Sequence, residues 1–256
     1  AQRLARFFSR FLPAVLASML VRAAHAEPVV ESLGPGVVRV FADDAARKNA
    51  HPSYALLPEI QGLTGAGVQG PGVQPEFADL GKTQNVTLTF PPGTSFYGTG
   101  EAGGPLLRNG RRVTCWNTDA YGYGASSPSL YQSHPWVLAV LPDGRSVGLL
   151  ADTTYRCVVD TGATSPEQVK FSADGRSFGI IIIEKAGPGL VLTELARLTG
   201  AMPLEPKWAI GYHQCRYSYF PEARVREIAE GFRSHDIPAD GTWRPTHARP
   251  DPGPQP

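Results

Sequence analysis

The stretch Pro203-Leu-Glu-Pro-Lys-Trp-Ala-Ile-Gly-Tyr-His-Gln-Cys-Arg-Tyr-Ser-Tyr219 is followed by a helical pattern that runs to Ile237-Pro-Ala-Asp240. Within it, Trp208–Tyr212 predicts a strand, and apolar residues recur at the spacing of one helix face from Val225 to Phe232. A strand and a helix make one βα unit, which cannot bury both of its faces alone. The stretch therefore predicts the opening of a larger α/β domain.

The sequence changes character after Asp240, where Gly241-Thr-Trp-Arg-Pro begins a segment rich in proline and arginine that runs to Pro256. Proline donates no backbone hydrogen bond and is disfavoured inside helices and central strands. We therefore expect residues 241–256 to continue neither the strand nor the helix, as a tail without homology. The segment resembles GC-rich coding sequence read in a shifted frame, so a frameshift and a genuine terminus are both open.

Short strands separated by turns dominate the chain from Pro28 to about Leu192. The clearest are Val37–Phe41, Asn85–Phe90, Trp136–Leu141, Ser146–Leu150 and the fully apolar Phe178–Ile183. Pro142-Asp-Gly144 suits a hairpin turn, because proline presets φ and glycine accepts a positive φ. We expect a mainly β domain over residues 28–200, a sandwich or a barrel, with a short helix at Leu190–Gly200 and the α/β segment over 201–240.

The first 27 residues have the composition of a targeting segment. Four arginines and no acid precede Glu27, and the apolar run Phe11–Val21 leads to Ala24-His25-Ala26, which resembles a cleavage site. A secretory signal, an organellar transit peptide and an incomplete N-terminus all fit, so a secreted or organellar location stays open. The apolar run is too short to span a membrane comfortably.

The composition argues against several function classes. The formal net charge of the 256 residues is +1, and no stripe of lysine and arginine indicates a nucleic-acid surface. The three cysteines show neither metal-site spacing nor a disulfide framework. Four acids of the predicted helix are solvated charges rather than a catalytic pair: Glu222, Glu227, Glu230 and Asp236.

Aromatic rings, a carboxylate and glycines come together in Trp116-Asn-Thr-Asp-Ala-Tyr-Gly-Tyr-Gly124. Rings can stack on sugar faces while Asp and Asn bind hydroxyls, so this loop is a candidate sugar-binding segment. The alternative is that Trp116 and Tyr121 simply pack in the core or at the edge of the sandwich, as most aromatic clusters do.

Together these residues resemble the N-terminal part of a glycoside hydrolase family 31 α-glucosidase of the plant, algal and bacterial branch. The segments that carry the resemblance are Phe96–Glu101, Trp116–Gly124, Leu130–Trp136, Val147–Tyr155 and Pro206–Tyr219. The resemblance implies a galactose-mutarotase-like β-sandwich followed by the first βα unit of a (β/α)₈ barrel. It also implies retaining hydrolysis of α-glucosides from the non-reducing end, without a metal or organic cofactor.

Three residues are carried over from the resemblance as substrate-binding candidates. Tyr217 matches a tyrosine that lines the subsite for the terminal glucose. The loop with Asp119 and Tyr121 resembles a sandwich loop that reaches over the active site, and either residue could meet sugar.

The family's second barrel strand carries a Trp-x-Asp-x-Asp-like motif, which Gly241-Thr-Trp-Arg-Pro replaces here. The family's catalytic carboxylates lie still further along the chain, so no catalytic residue is assigned and the chain alone is expected to be inactive. The alternative function is a non-catalytic carbohydrate-binding β-sandwich module.

Overall fold

The computed structural model describes residues 27–216 and 219–243, and the chain divides into two compact units after Gly200. In the described part, the first unit has eleven strands and two helices. The strands are β1 (Val29–Gly34), β2 (Val37–Phe41), β3 (Glu76–Asp79), β4 (Thr83–Thr89), β5 (Ser95–Gly98), β6 (Arg111–Cys115), β7 (Trp136–Val140), β8 (Ser146–Ala151), β9 (Cys157–Thr161), β10 (Gln168–Asp174) and β11 (Ile180–Lys185). The helices are α1 (Asp44–Asn49) and α2 (Pro188–Thr199).

The strands of the first unit form two antiparallel sheets. One has the order β1-β2-β11-β8-β7-β5 and the other the order β3-β4-β10-β9-β6. Buried side chains of both sheets form one core, and β7 and β8 form a hairpin at Pro142-Asp-Gly144, where Gly144 has a φ of 89°. The prediction of a mainly β sandwich is confirmed.

Strand β11 is buried on both of its faces. Ile180 and Ile182 belong to the core between the sheets, whereas Ile181 and Ile183 pack with Val191 and other side chains on the outer face. Full burial of an aliphatic side chain contributes about 1.5–3 kcal/mol, so both layers depend on this strand. Helix α2 covers the outer face. The helix predicted at Leu190–Gly200 is therefore present, although it begins at Pro188 and ends at Thr199.

Beside β1 and β2, two acids with little exposure, Glu31 and Asp152, are paired with arginines. The guanidinium of Arg39 lies 2.6 Å from the carboxylate of Glu31 and 3.1 Å from that of Asp152. Arg47, on α1, lies 2.6 Å from the other oxygen of Glu31. Because each carboxylate has a positive partner, the two acids can be buried without an uncompensated charge.

The second unit contains a 3-10 turn at Lys207–Ile210, strand β12 (His213–Cys215), helix α3 (Glu222–Ser234) and strand β13 (Gly241–Trp243). Strands β12 and β13 are parallel, with His213 opposite Gly241. The unit is therefore a βαβ arrangement.

Two predictions for the second unit are wrong. The strand predicted at Trp208–Tyr212 is instead a 3-10 turn, in which the amide of Ala209 donates to the carbonyl of Pro206, and the strand begins at His213. The expectation that the sequence after Asp240 cannot continue as a strand fails at Gly241–Trp243. Proline does not occur in these three residues, so their backbone can pair with β12.

Helix α3 has the predicted amphipathic face. Val225, Ile228, Ala229 and Phe232 are partly buried, while most of its other residues are exposed. Its acids are exposed, and two of them pair with arginines on the same helix: Glu222 lies 2.6 Å from Arg226, and Glu227 pairs with Arg224. They are solvated helix charges, as expected.

Candidate functional site

The candidate site lies on the loop between β6 and β7. This loop is anchored by Leu130, which is buried, and by the amide of Thr118, which donates to the carbonyl of Leu130 over 2.7 Å. The amide of Thr114 donates to the carbonyl of Pro128. Residues 116–128 therefore extend from the sandwich as a mostly exposed loop, and these hydrogen bonds anchor its two ends.

Trp116 and Tyr121 are exposed rather than packed in the sandwich. The exposed fraction is 54% for Trp116 and 98% for Tyr121. Neither ring therefore lies in the sandwich core, whereas the edge alternative stays open for Trp116, which directly follows the edge strand β6. Exposed rings on a polar loop are available to a ligand.

Asp119 is held by Tyr131. The Tyr131 hydroxyl donates to Asp119 Oδ1 over 3.0 Å, and this hydrogen bond to a carboxylate raises the pKa of Tyr131 above its usual value. The carboxylate of Glu101 accepts hydrogen bonds from the amides of Tyr131 and Gln132 at 3.1 and 3.0 Å. Tyr131 therefore links the Asp119 loop to the loop after β5.

Tyr121 lies on a different surface of the same loop. It lines a cavity of about 320 Å³ together with Trp116, Tyr123 and Arg156. Asp119 does not line this cavity in the described structure. The structure thus brings Asp119 and Tyr121 into one loop but not into one pocket.

Two arginines hold the backbone beneath this loop. Arg108, which is buried, donates to the carbonyls of Gly98, Ala102 and Gly103 at 3.1–3.2 Å, and burial lowers its pKa. Arg111 donates to the carbonyls of Gly103 and Ala125, the latter at 2.6 Å. The two guanidinium groups therefore fix the loop after β5 and the end of the tyrosine loop together.

Sequence reasoning did not identify four residues that the structure places at the site: Glu101, Tyr131, Arg108 and Arg111. Glu101 and Tyr131 stand in segments that carry the family resemblance, which was the available signal. The arginines bind backbone carbonyls, and this kind of contact leaves no side-chain pattern to recognise.

The predicted sugar-binding Tyr217 lies outside the described residues. Among the described residues of the second unit, His213 of β12 accepts a hydrogen bond at Nδ1 from Trp243 Nε1 over 2.7 Å. The amide of Tyr212 donates to the carboxylate of Asp240 over 3.2 Å. These contacts join the two parallel strands side by side.

The described residues include no group of three or more His, Cys, Asp or Glu side chains that could hold a metal ion. Over residues 27–216 and 219–243, no helix combines the length and apolar character that a membrane crossing requires. The loop itself carries rings, hydroxyls and single carboxylates, which can orient a sugar by stacking and hydrogen bonding.

Comparison with known families assigns both units. Residues 74–160 match the glycosyl hydrolase 31 N-terminal galactose mutarotase-like domain, and residues 202–247 match the glycosyl hydrolases family 31 TIM-barrel domain. These two segments are thus similar to the N-terminal domain of family 31 and to the start of its barrel domain. The barrel match includes residues 241–247, the first part of the segment that was expected to lack homology.

Known relatives agree with this assignment. Alpha-glucosidase 2 of Bacillus thermoamyloliquefaciens is 42% identical over 153 residues, which cover 59% of this chain and 19% of that protein. Alpha-xylosidase XylQ of Lactiplantibacillus pentosus is 29% identical over 146 residues, 56% of this chain and 18% of that protein. The chain thus spans about a fifth of the length of these relatives.

Solved family 31 structures share the fold. The family 31 α-glucosidase of Bacteroides thetaiotaomicron is 45% identical, with a TM-score of 0.57 over 63% of this chain and 27% of that one. The Flavobacterium johnsoniae dextranase, in the structure with isomaltotriose, has a TM-score of 0.74 at 22% identity over 87% of this chain and 31% of that one. Because its identity is only 22%, the similarity to the dextranase concerns the fold alone.

Proposed function

We propose that the chain is the N-terminal part of a retaining, exo-acting α-glucosidase that hydrolyses the O-glycosidic bonds of α-glucans or oligosaccharides. The observation that carries the proposal is the succession of both family 31 regions in one chain, with 42% identity to an α-glucosidase. The substrate partner would be an α-glucoside.

The tyrosine loop would form one wall of the sugar site. Tyr131 fixes the Asp119 carboxylate, which can then accept hydrogen bonds from sugar hydroxyls at its remaining lone pairs. Tyr121 has a free ring face for stacking. Either residue would act in binding rather than in bond cleavage.

Tyr217 would contribute to the terminal glucose subsite. It follows the end of β12 at Cys215 by two residues. In barrel enzymes the active site is built at the carboxyl ends of the parallel strands, which is where Tyr217 stands in the chain.

The 256-residue chain would not hydrolyse glycosides by itself. Retaining hydrolysis needs two carboxyl groups on opposite sides of the scissile bond, and in the family these stand on later barrel strands. The helix acids cannot replace them, because Glu222 and Glu227 are exposed and paired with Arg226 and Arg224. Loss of a nucleophile removes the covalent route altogether.

A chimera tests the proposal. Residues 28–240 replace the matching N-terminal region of Alpha-glucosidase 2 of Bacillus thermoamyloliquefaciens, whose own barrel supplies the carboxylates. We expect the chimera to release p-nitrophenol from p-nitrophenyl α-glucoside, whereas the 256-residue chain alone releases none. Hydrolysis by the chain alone would contradict the proposed inactivity.

Substrate choice is tested with p-nitrophenyl α-xyloside, because an α-xylosidase is also among the relatives. The proposal requires a higher kcat/KM for the glucoside. A chimera with Asp119→Ala and Tyr121→Ala should keep its fold and raise KM. A folded chimera that prefers the xyloside would refute the assignment as an α-glucosidase.

A further inference from the structure

The first unit has a second groove, and Trp116 lines both this groove and the Tyr121 cavity. Two adjoining cavities of about 200 and 380 Å³ make it up. They share five wall residues: Ser133, Pro135, Thr153, Thr154 and Tyr155. The groove is therefore one elongated depression, with Tyr54 at one end and Trp116 and Asn117 at the other.

The ends of the groove present aromatic rings to solvent. Tyr54 is 72% exposed, and Trp116 and Asn117 are exposed at the opposite end. Between them, hydroxyl groups of Ser133, Thr153 and Thr154 line the wall. Hydroxyl groups and the side-chain amide of Asn117 can each donate and accept hydrogen bonds. The wall can therefore bind sugar hydroxyls that act as donors or as acceptors.

The middle of the groove is rigidly built around Tyr155. Its hydroxyl lies 3.1 Å from His51 Nε2, and the two rings are stacked with their centroids 5.7 Å apart. A Cβ atom at Gly175 would lie 2.7 Å from the Tyr155 ring, so the glycine leaves room for it. The wall therefore exists before any ligand arrives, which lowers the entropy cost of binding.

Among the described residues, no lysine or arginine lines the groove. The single carboxylate that lines it, within the described chain, belongs to Asp152. Its Oδ1 accepts from Ser53 Oγ over 2.7 Å, and its Oδ2 accepts from Arg39 Nη1 over 3.1 Å. An anion would therefore meet no lysine or arginine among the described wall residues, and a cation would meet a carboxylate that already has partners. A neutral ligand rich in hydroxyls fits the wall.

We propose that this groove binds a neutral α-glucan oligosaccharide at a site separate from the Tyr121 cavity. Two joined cavities accommodate more than one sugar unit, and the rings at the two ends would hold successive units. The choice of an α-glucan rests on the proposed function, whereas the groove itself would bind the glucan without cleaving it.

Nuclear magnetic resonance of the uniformly ¹⁵N-labelled 256-residue chain, titrated with maltoheptaose, tests this inference. The amides of Thr153, Thr154 and Tyr155 report on the groove, and those of Tyr121 and Gly122 report on the other cavity. We expect saturable shifts of the groove amides. Tyr54→Ala and Asn117→Ala, both exposed, should each weaken the groove affinity by roughly ten-fold, equal to about 1.4 kcal/mol.

The matched control is Leu80→Ala, which is 72% exposed like Tyr54 but lines neither cavity of the groove, and which should leave the groove affinity unchanged. Three results would overturn the inference: no saturable shift of the groove amides, wild-type affinity in both groove variants, or the same shifts with inorganic phosphate. Shifts confined to Tyr121 and Gly122 would also refute it, while leaving the proposed hydrolytic function intact.

Discussion

The hydroxyl of Tyr131 and the carboxylate of Asp119 form a 3.0 Å hydrogen bond that joins the two ends of one loop. Tyr131 directly follows the buried Leu130, whereas Asp119 stands on the exposed part of the loop. The bond therefore ties a candidate sugar-binding carboxylate to an anchored backbone. Without it, Asp119 would depend on the loop backbone alone.

Tyr131→Phe should loosen the loop without unfolding the sandwich. The amide of Thr118, which donates to Leu130, should exchange its hydrogen faster by roughly five-fold, since one net hydrogen bond has been lost nearby. Hydrogen exchange followed by NMR measures this. Tyr123→Phe, on the same loop, is the control and should change nothing; equal exchange rates in both variants would refute the role given to Tyr131.

The ionisation of Tyr131 should depend on Asp119. The hydrogen bond to Asp119 raises the pKa of Tyr131, so the bond stabilises the fold below the pKa of an unfolded tyrosine and is lost as pH rises through the folded pKa. Ultraviolet titration of the native chain should show one tyrosine that ionises late. Asp119→Asn should bring that pKa back towards its usual value, and an unchanged titration would contradict this.

Asp160 should be a stabilising buried carboxylate. Burial opposes its ionisation, but hydrogen bonds from Thr164, Arg112 and the amide of Ala163 outweigh burial, and its pKa is lowered. We expect Asp160→Ala to cost about 2 kcal/mol, because a turn loses its buried acceptor. Urea unfolding at neutral pH measures this cost.

The Asp160 contribution should also depend on pH. It is fully present above the pKa of an unfolded aspartate and is lost as pH falls through the lower, folded pKa. The difference in unfolding free energy between wild type and Asp160→Ala should shrink accordingly in acid. Asp143, which also has a lowered pKa but is exposed, provides the control, and Asp143→Ala should destabilise less.

The three cysteines should react very differently. Cys115 and Cys157 lie opposite each other on β6 and β9, and both are buried. Burial raises the pKa of Cys115 to about 12 and that of Cys157 above its usual range, so neither supplies much thiolate at neutral pH. Iodoacetamide should label Cys215, which is exposed, in the native chain. Peptide mass spectrometry that finds native labelling at Cys115 or Cys157 would contradict their burial.

Gly148 should tolerate no side chain. A Cβ atom there would overlap the ring of Trp136 and lie 2.7 Å from Val191 Cγ1. Gly148→Ala should therefore destabilise the chain by about 1–3 kcal/mol, as overpacked cores do. Gly189→Ala in α2 meets no atom within 4 Å and should be neutral or stabilising by up to about 1 kcal/mol. Thermal unfolding that ranks the two variants equally would refute this packing.

The strands of the sandwich were predictable where hydrophobicity and turn chemistry agree. The apolar run at Ile180–Ile183 predicts burial on both faces, and Pro142-Asp-Gly144 predicts the β7–β8 hairpin. Strand β6 begins with Arg111 and Arg112 and has no such signal; it forms because β9 lies beside it. In the second unit, Gly241–Trp243 is strand because β12 offers a parallel partner, which no local pattern reveals.

The candidate site was predictable only in part. The composition of Trp116–Gly124 pointed to a ligand loop, and its rings are exposed. The separation of Asp119 from the Tyr121 cavity could not be predicted, because it depends on how Tyr131 and Glu101 fold the loop back. Contacts between residues distant in sequence decide which side chains share a surface.

The neighbours of β2 have a consequence for protein synthesis. β2 pairs with β1 on one side and with β11 on the other, so one side lacks its partner until Lys185 has been translated and has left the ribosome. Until then the nascent chain exposes a valine-rich strand with a free edge, which is a template for association with other chains. Slow translation between Phe41 and Ile180 would prolong this exposure and increase the demand for chaperones.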